Sequence, residues 1–385
     1  MPIQNKPINI YALTVDGFYQ KSHGSVYKEK INTIASYVKY MGYTHVLLLD
    51  GYISDAAQPS KEKRRAAIDA LHLQGINVIL TVLQKDVTDR DLYVYTLTEQ
   101  IKSLQIDGLF FDIPLPAYSD RSLLKAVNKE IHKKFPNFIT ILKNKPVSDL
   151  RSCGFDLVLD LELYGCACDY LSYDPYFRRH IQSRLTSSLF DKDDSSRLIP
   201  RSNFESAPST RSFLSSSFGT HEDKLMQKRS MDLAFAMMGA PMISMMGDEF
   251  SGASAEDGRA IVDWDLLDNR EYGSLRSFTR ALNFLYLNSE SIDSASKNAS
   301  LSSYDIDEEK NVLSIVRSYD RNKTAALVNL SGIEQNVLIQ ESGDAECIFA
   351  TKEHVGNDSI LRINDQKNTF LVKLPAFCGA VYRFK

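Results

Sequence analysis

Side chains able to ligate a metal, close a disulfide or attack a substrate are scattered thinly along this chain. The five cysteines are Cys153, Cys166, Cys168, Cys347 and Cys378. Their odd number and irregular spacing match neither a disulfide framework nor a zinc site. Cys166 and Cys168 stand one residue apart, and no second pair completes a tetrahedral set. All five read as reduced thiols of a reducing compartment. Seven histidines, among them His23, His45, His72 and His221, show no H-E-x-x-H spacing. No glycine-rich phosphate loop follows the first apolar run, which argues against dinucleotide chemistry. No metal or organic cofactor is implied.

Any chemistry left to carboxylates and aromatic rings depends on the elements that carry them. The chain has 385 residues, 43% apolar and 24% charged, enough for two or three domains with a full core. A net charge of −4 argues against nucleic-acid or membrane-surface partners, which reward a basic excess. The basic run Lys61, Lys63, Arg64 and Arg65 reads as a solvated helix face. The opening Met-Pro-Ile-Gln-Asn-Lys lacks a signal-peptide core, and no apolar run reaches membrane-spanning length. A cytoplasmic location is therefore expected.

Short apolar runs alternate with amphipathic stretches through the first 290 or so residues. Strands are expected at 8–15, 44–49, 76–83, 108–113, 138–142, 155–161, 197–202 and 241–246. Helices are expected at 28–41, through 66–73, at 91–104 and 120–134, through 180, and at 222–238 and 272–288. The runs at 44–49 and 76–83 are rich in leucine and β-branched residues, as strands buried on both faces should be. Eight strand–helix pairs at this spacing predict a (β/α)₈ TIM barrel over residues 1–292 rather than an open doubly wound sheet. Beyond it a Ser-rich stretch gives way to seven short alternating segments separated by turn signals. These predict a small C-terminal antiparallel β-sandwich over 293–385.

In such a barrel, chemistry belongs at the C-terminal ends of the strands. Met41-Gly-Tyr-Thr-His-Val46 resembles the second strand of α-glucan branching enzymes, and Ala67 to Leu80 resembles their third. Asp107-Gly-Leu-Phe-Phe-Asp112 is similar to the fourth. Further matches are Gly154-Phe-Asp156, Asp169-Tyr-Leu, Tyr173-Asp-Pro-Tyr-Phe-Arg178, Met246-Gly-Asp-Glu-Phe250, Val262-Asp-Trp-Asp-Leu-Leu267 and Asn269 to Phe278. Together they resemble glycoside hydrolase family 13, the α-amylase family, and branching enzymes in particular, over most of 8–290.

The resemblance implies a retaining mechanism. It needs two carboxyl groups about 5–5.5 Å apart, one nucleophilic and one acting as acid and then base. It places the nucleophile at Asp112. The arginine expected two residues earlier falls on Phe110, and the acid–base glutamate falls on Lys143 or Asn144. A lysine there is a poor general acid for a glycosidic oxygen. The adjacent histidine and aspartate of the seventh strand fall on Asn203 and Phe204, while Glu205 still matches. The third-strand aspartate and the later histidine fall on Thr81 and Asp86. The segments 84–90 and 50–60 are short for loops that build a glucan cleft.

Two readings of these residues stand. Asp112 is either a vestigial strand-end carboxylate or an active nucleophile whose acid, from Glu205 or Asp156, goes unrecognised. Trp264 either stacks on a sugar or packs the loop after strand eight onto the barrel. The leading expectation is a catalytically degraded, branching-enzyme-like protein that binds α-glucan or oligosaccharide, an accessory protein of glycogen or starch metabolism. The alternative is an active α-glucan hydrolase or transglycosylase.

Overall fold

The computed structural model describes residues 7–19, 27–49, 61–83, 90–112, 121–144, 153–190, 196–204, 211–256, 259–292, 299–320, 322–353, 355–364 and 368–385. Eight parallel strands close into a barrel: β1 (Asn9–Leu13), β2 (His45–Leu48), β3 (Asn77–Leu83), β4 (Gly108–Asp112), β5 (Ile139–Asn144), β6 (Leu157–Asp160), β7 (Arg197–Pro200) and β8 (Met242–Met245). Strand β8 returns to β1 through the register Asn9↔Met242 to Ala12↔Met245. The strands are buried almost throughout, because the lumen covers one face and the helices the other. Helices follow where apolar residues recur at helical spacing, for example Tyr27–Tyr40, Arg90–Leu104 and Arg270–Asn288. Between β4 and β5 the backbones approach closely at Gly108. A Cβ there would stand 2.9 Å from the Ile139 carbonyl.

A hairpin, β9 (Ala253–Glu256) with β10 (Arg259–Val262), follows β8. After the helix Arg270–Asn288 the described strands are antiparallel: β11 (Ala299–Asp307), β12 (Val312–Tyr319), β13 (Asn322–Asn329), β14 (Gln335–Gln340), β15 (Ala345–Ala350), β16 (Ile360–Asn364), β17 (Thr369–Leu374) and β18 (Gly379–Phe384). One sheet has the order β11-β12-β13-β18-β15 and the other β14-β17-β16, with a core between them that includes Val316, Leu327, Phe370, Val372 and Tyr382. Strand β11 begins inside the Ser-rich stretch, ahead of the seven segments expected as strands. It is an edge strand with an exposed face, so it lacks the alternation that marks the others. Ser300 and Ser302 there pair with Ser318 through hydroxyl contacts of 3.0 and 2.8 Å.

The sandwich shares a core with the barrel helices, in which Leu163, Tyr170 and Leu233 pack with Leu313, Ile315 and Val328. Polar side chains tie the junction: Gln182 Nε2 donates to Asn311 Oδ1 at 2.7 Å, and Arg317 Nε to the Ser291 carbonyl at 2.8 Å. No described helix is long and apolar enough to cross a membrane.

Candidate functional site

Asp112 is the last residue of β4 and Lys143 the next-to-last of β5. The register Phe111↔Leu142 makes them cross-strand neighbours at the C-terminal rim. Lys143 Nζ donates to Asp112 Oδ2 at 3.0 Å. Facing side chains at this rim thus carry opposite charges. Phe110, on the same face of β4 as Asp112, is buried, as are Thr81, Asn203 and Phe204. Thr81 Oγ1 donates to the Leu48 carbonyl at 3.3 Å. Glu205 and Asp86 lie outside the described residues.

Asp156 stands apart from Asp112. It precedes β6 at the opposite rim, where its Oδ2 accepts from Thr140 N and Oγ1 at 2.8 and 2.9 Å and meets His132 Nε2 at 3.1 Å. That hydrogen bond holds His132 above its ordinary range. Trp264 packs against the barrel. Its indole N–H donates to the Phe18 carbonyl at 2.7 Å, and its ring meets Phe18 and Tyr37 edge-on at 4.9 and 5.2 Å. Beyond β7, Phe213 is fully buried behind the Ser212–Ser215 capping box.

Sequence reasoning missed a second group of ionisable residues, around β7 and β8. Arg201 Nε donates to Asp232 Oδ1 at 3.2 Å, Lys228 Nζ lies 3.3 Å from Asp232 Oδ2, and Lys228 Nζ lies 3.0 Å from Asp248 Oδ2. Arg201 Nη1 also reaches Asn283 Oδ1 at 2.8 Å. All four charges are buried and sum to zero. Burial works to strip the Lys228 proton, but Asp232 and Asp248 outweigh it and hold the ammonium above its ordinary value. The one sequence signal is Lys228 four residues before Asp232 on a helix with apolar neighbours.

Glu249 forms a third feature. Tyr11 and Tyr37 hydroxyls both donate to its Oε1, at 2.8 and 2.7 Å, while Oε2 is buried without a partner among the described residues. Burial pushes the carboxyl up to about 7, against the pull of the tyrosine hydrogen bonds. The folded chain therefore holds a proton that the unfolded chain releases near its ordinary pKa of about 4.3. Stability from this group is full below that value and declines as pH rises to about 7. Between about pH 5 and pH 8 the loss is about 2–3 kcal/mol. Glu249→Gln, whose amide oxygen still accepts both tyrosines, is expected to flatten this decline. Thermal melts of both proteins across that range check it, and parallel profiles count against it.

This geometry defines a class, an α-amylase-type barrel followed by a β-sandwich. An Anoxybacillus α-amylase superposes with a TM-score of 0.72 at 14% identity, over 100% of this chain and 98% of that one. An α-amylase from H. orenii gives 0.67 at 13% identity, over 99% and 100%. In sequence the chain is similar to 1,4-alpha-glucan branching enzymes. That of Thiobacillus denitrificans is 22% identical over 373 positions, 74% of this chain and 50% of the enzyme. That of Corynebacterium diphtheriae is 22% identical over 486 positions, 99% and 66%. No family model matches the chain. The chain spans about half to two thirds of the length of these curated relatives. The alignment with the Corynebacterium enzyme is longer than the chain itself, so that enzyme carries stretches with no counterpart here.

Proposed function

We propose that this chain is a catalytically degraded relative of the α-glucan branching enzymes that binds α-glucan or oligosaccharide without cleaving it, as an accessory protein of glycogen or starch metabolism. The observation that carries the reading is the 3.0 Å ion pair between Lys143 and Asp112. An ammonium in contact with a carboxylate lowers its nucleophilicity. A lysine ammonium is also a poor proton donor to a leaving glycosidic oxygen. Phe110 and Phe204 fill buried positions where the family's arginine and aspartate stand, which removes a charge that would keep the nucleophile ionised and a carboxylate that could hold sugar hydroxyls. Sugar binding gains support from one fold neighbour, AmyP, solved in complex with maltose and, as a point variant, in complex with maltotriose.

Purified protein is expected to be retarded in a glycogen-containing native gel. It is expected to release no reducing ends from amylose and to add no branches, measured as chain lengths after debranching. Asp112→Ala should leave the retardation unchanged. Turnover that disappears in Asp112→Ala overturns the proposal in favour of an active retaining enzyme. Absence of both binding and turnover overturns it in favour of a role unrelated to glucan.

A further inference from the structure

Across the barrel from Asp112, a cavity of about 340 Å³ opens beside the strand ends of β7 and β8. Strand β8 is four strands from β4 in a closed ring of eight, so the cavity and the Lys143–Asp112 pair occupy opposite sides. Its wall includes Lys224, His221, Asp248, Ser251, Tyr272 and Ser215. We infer that this cavity is a separate ligand site, which takes a hexose-sized polyol bearing one anionic group, as in a sugar phosphate or a sugar acid.

The size sets the first limit. Small-molecule pockets run from about 300 to 1,000 Å³, so this one holds a single sugar unit rather than a chain. Charge sets the second. The neighbouring Arg201, Asp232, Lys228 and Asp248 neutralise one another, and His221 Nε2 faces Glu271 at 3.3 Å. Lys224 has no ion-pair partner among the described residues, so its ammonium is the uncompensated charge of the wall. One anionic group answers it. The helix start adds little here, because Thr220 and Asp223 cap each other and use up its first donors.

The remaining wall suits hydroxyl groups. Asp248 is fixed by Lys228 at 3.0 Å, and a carboxylate held in place is a ready acceptor for sugar hydroxyls. Ser251 sits at φ +60° with its Oγ buried and unpartnered among the described residues. A residue held in that region together with an unmade hydrogen bond is strain of the kind that gathers at ligand sites. Tyr272, partly buried on the same wall, offers a ring for the apolar face of a sugar.

Titration calorimetry on the full chain tests this with glucose 6-phosphate, gluconate, glucose and inorganic phosphate. A charged sugar is expected to bind at least about tenfold more tightly than glucose or phosphate, and Lys224→Ala to lose about tenfold of that affinity. Whether the phosphate or the carboxylate sugar binds better identifies the source, and either result supports the site. Added glycogen should leave the affinity unchanged, which separates this site from the glucan reading. Charged sugars binding no better than glucose, phosphate alone binding as well, or full affinity in Lys224→Ala each overturns the inference.

Discussion

Replacing Lys228 with methionine is expected to cost about 3–5 kcal/mol of folding free energy. Lys228 is 1% exposed and sits between Asp232 and Asp248, at 3.3 and 3.0 Å. Without it, two buried carboxylates share one guanidinium, that of Arg201, which contacts only Asp232 in the pairs observed. The loss comes from stranding a charge, so it should shrink when that charge is removed as well. Lys228→Met combined with Asp248→Asn is therefore expected to recover at least half the loss, a coupling far larger than separate sites give. Urea unfolding followed by circular dichroism measures Lys228→Met, Asp248→Asn and the double variant. Additive losses in the double variant would mean that the contact contributes packing rather than charge balance.

Much of the fold could be read from the residues, because its strands obey a single physical demand. A barrel strand covered on both faces must be a short, nearly unbroken apolar run, and Val46-Leu47-Leu48 and Val78-Ile79-Leu80 are that. Strand β11 escaped notice for the opposite reason. Its hydroxyl-rich, exposed face leaves hydrogen bonding to β12 as its main constraint, and hydrogen bonding has no sequence period.

The site was legible in part. Lys143 was placed at the acid–base position by resemblance alone, since strand order and register are needed to tell which side chains meet across a rim. That it grips Asp112 depends on β4 and β5 pairing in parallel with Phe111 opposite Leu142. Arg201, Lys228, Asp232 and Asp248 were not legible as a group. They come from a strand end, two turns of one helix and a short 3-10 turn, Asp248–Phe250, and only closure of the barrel brings β7 and β8 together. Met246-Gly-Asp-Glu-Phe250 was recognised as a segment, yet its neighbouring acids do different work. Asp248 joins the charge network, whereas Glu249 turns to the tyrosines of β1 and the helix Tyr27–Tyr40.

Arg178 lies in the Tyr173-Asp-Pro-Tyr-Phe-Arg178 segment, and its replacement by alanine should loosen the joint between barrel and sandwich. The side chain is fully buried. Its Nε donates to the Tyr173 carbonyl at 3.1 Å, Nη1 to Leu330 at 2.9 Å across the joint, and Nη2 to Leu171 at 2.9 Å and to Gln227 Oε1. The guanidinium also lies over the rings of Tyr170 and Phe377, at 5.3 and 5.9 Å. Removing it strands several buried acceptors and leaves a cavity, together worth about 3–5 kcal/mol. Arg178→Lys keeps the charge but lacks the planar fork that serves three directions at once, so it should restore less than half of that. Fluorescence of Trp264, the single tryptophan, reports on the barrel, and far-ultraviolet circular dichroism reports on the whole chain. Because the two parts share a core, both signals should shift together to lower denaturant in Arg178→Ala. A circular dichroism transition that moves while the Trp264 signal stays would show instead that the two parts unfold independently.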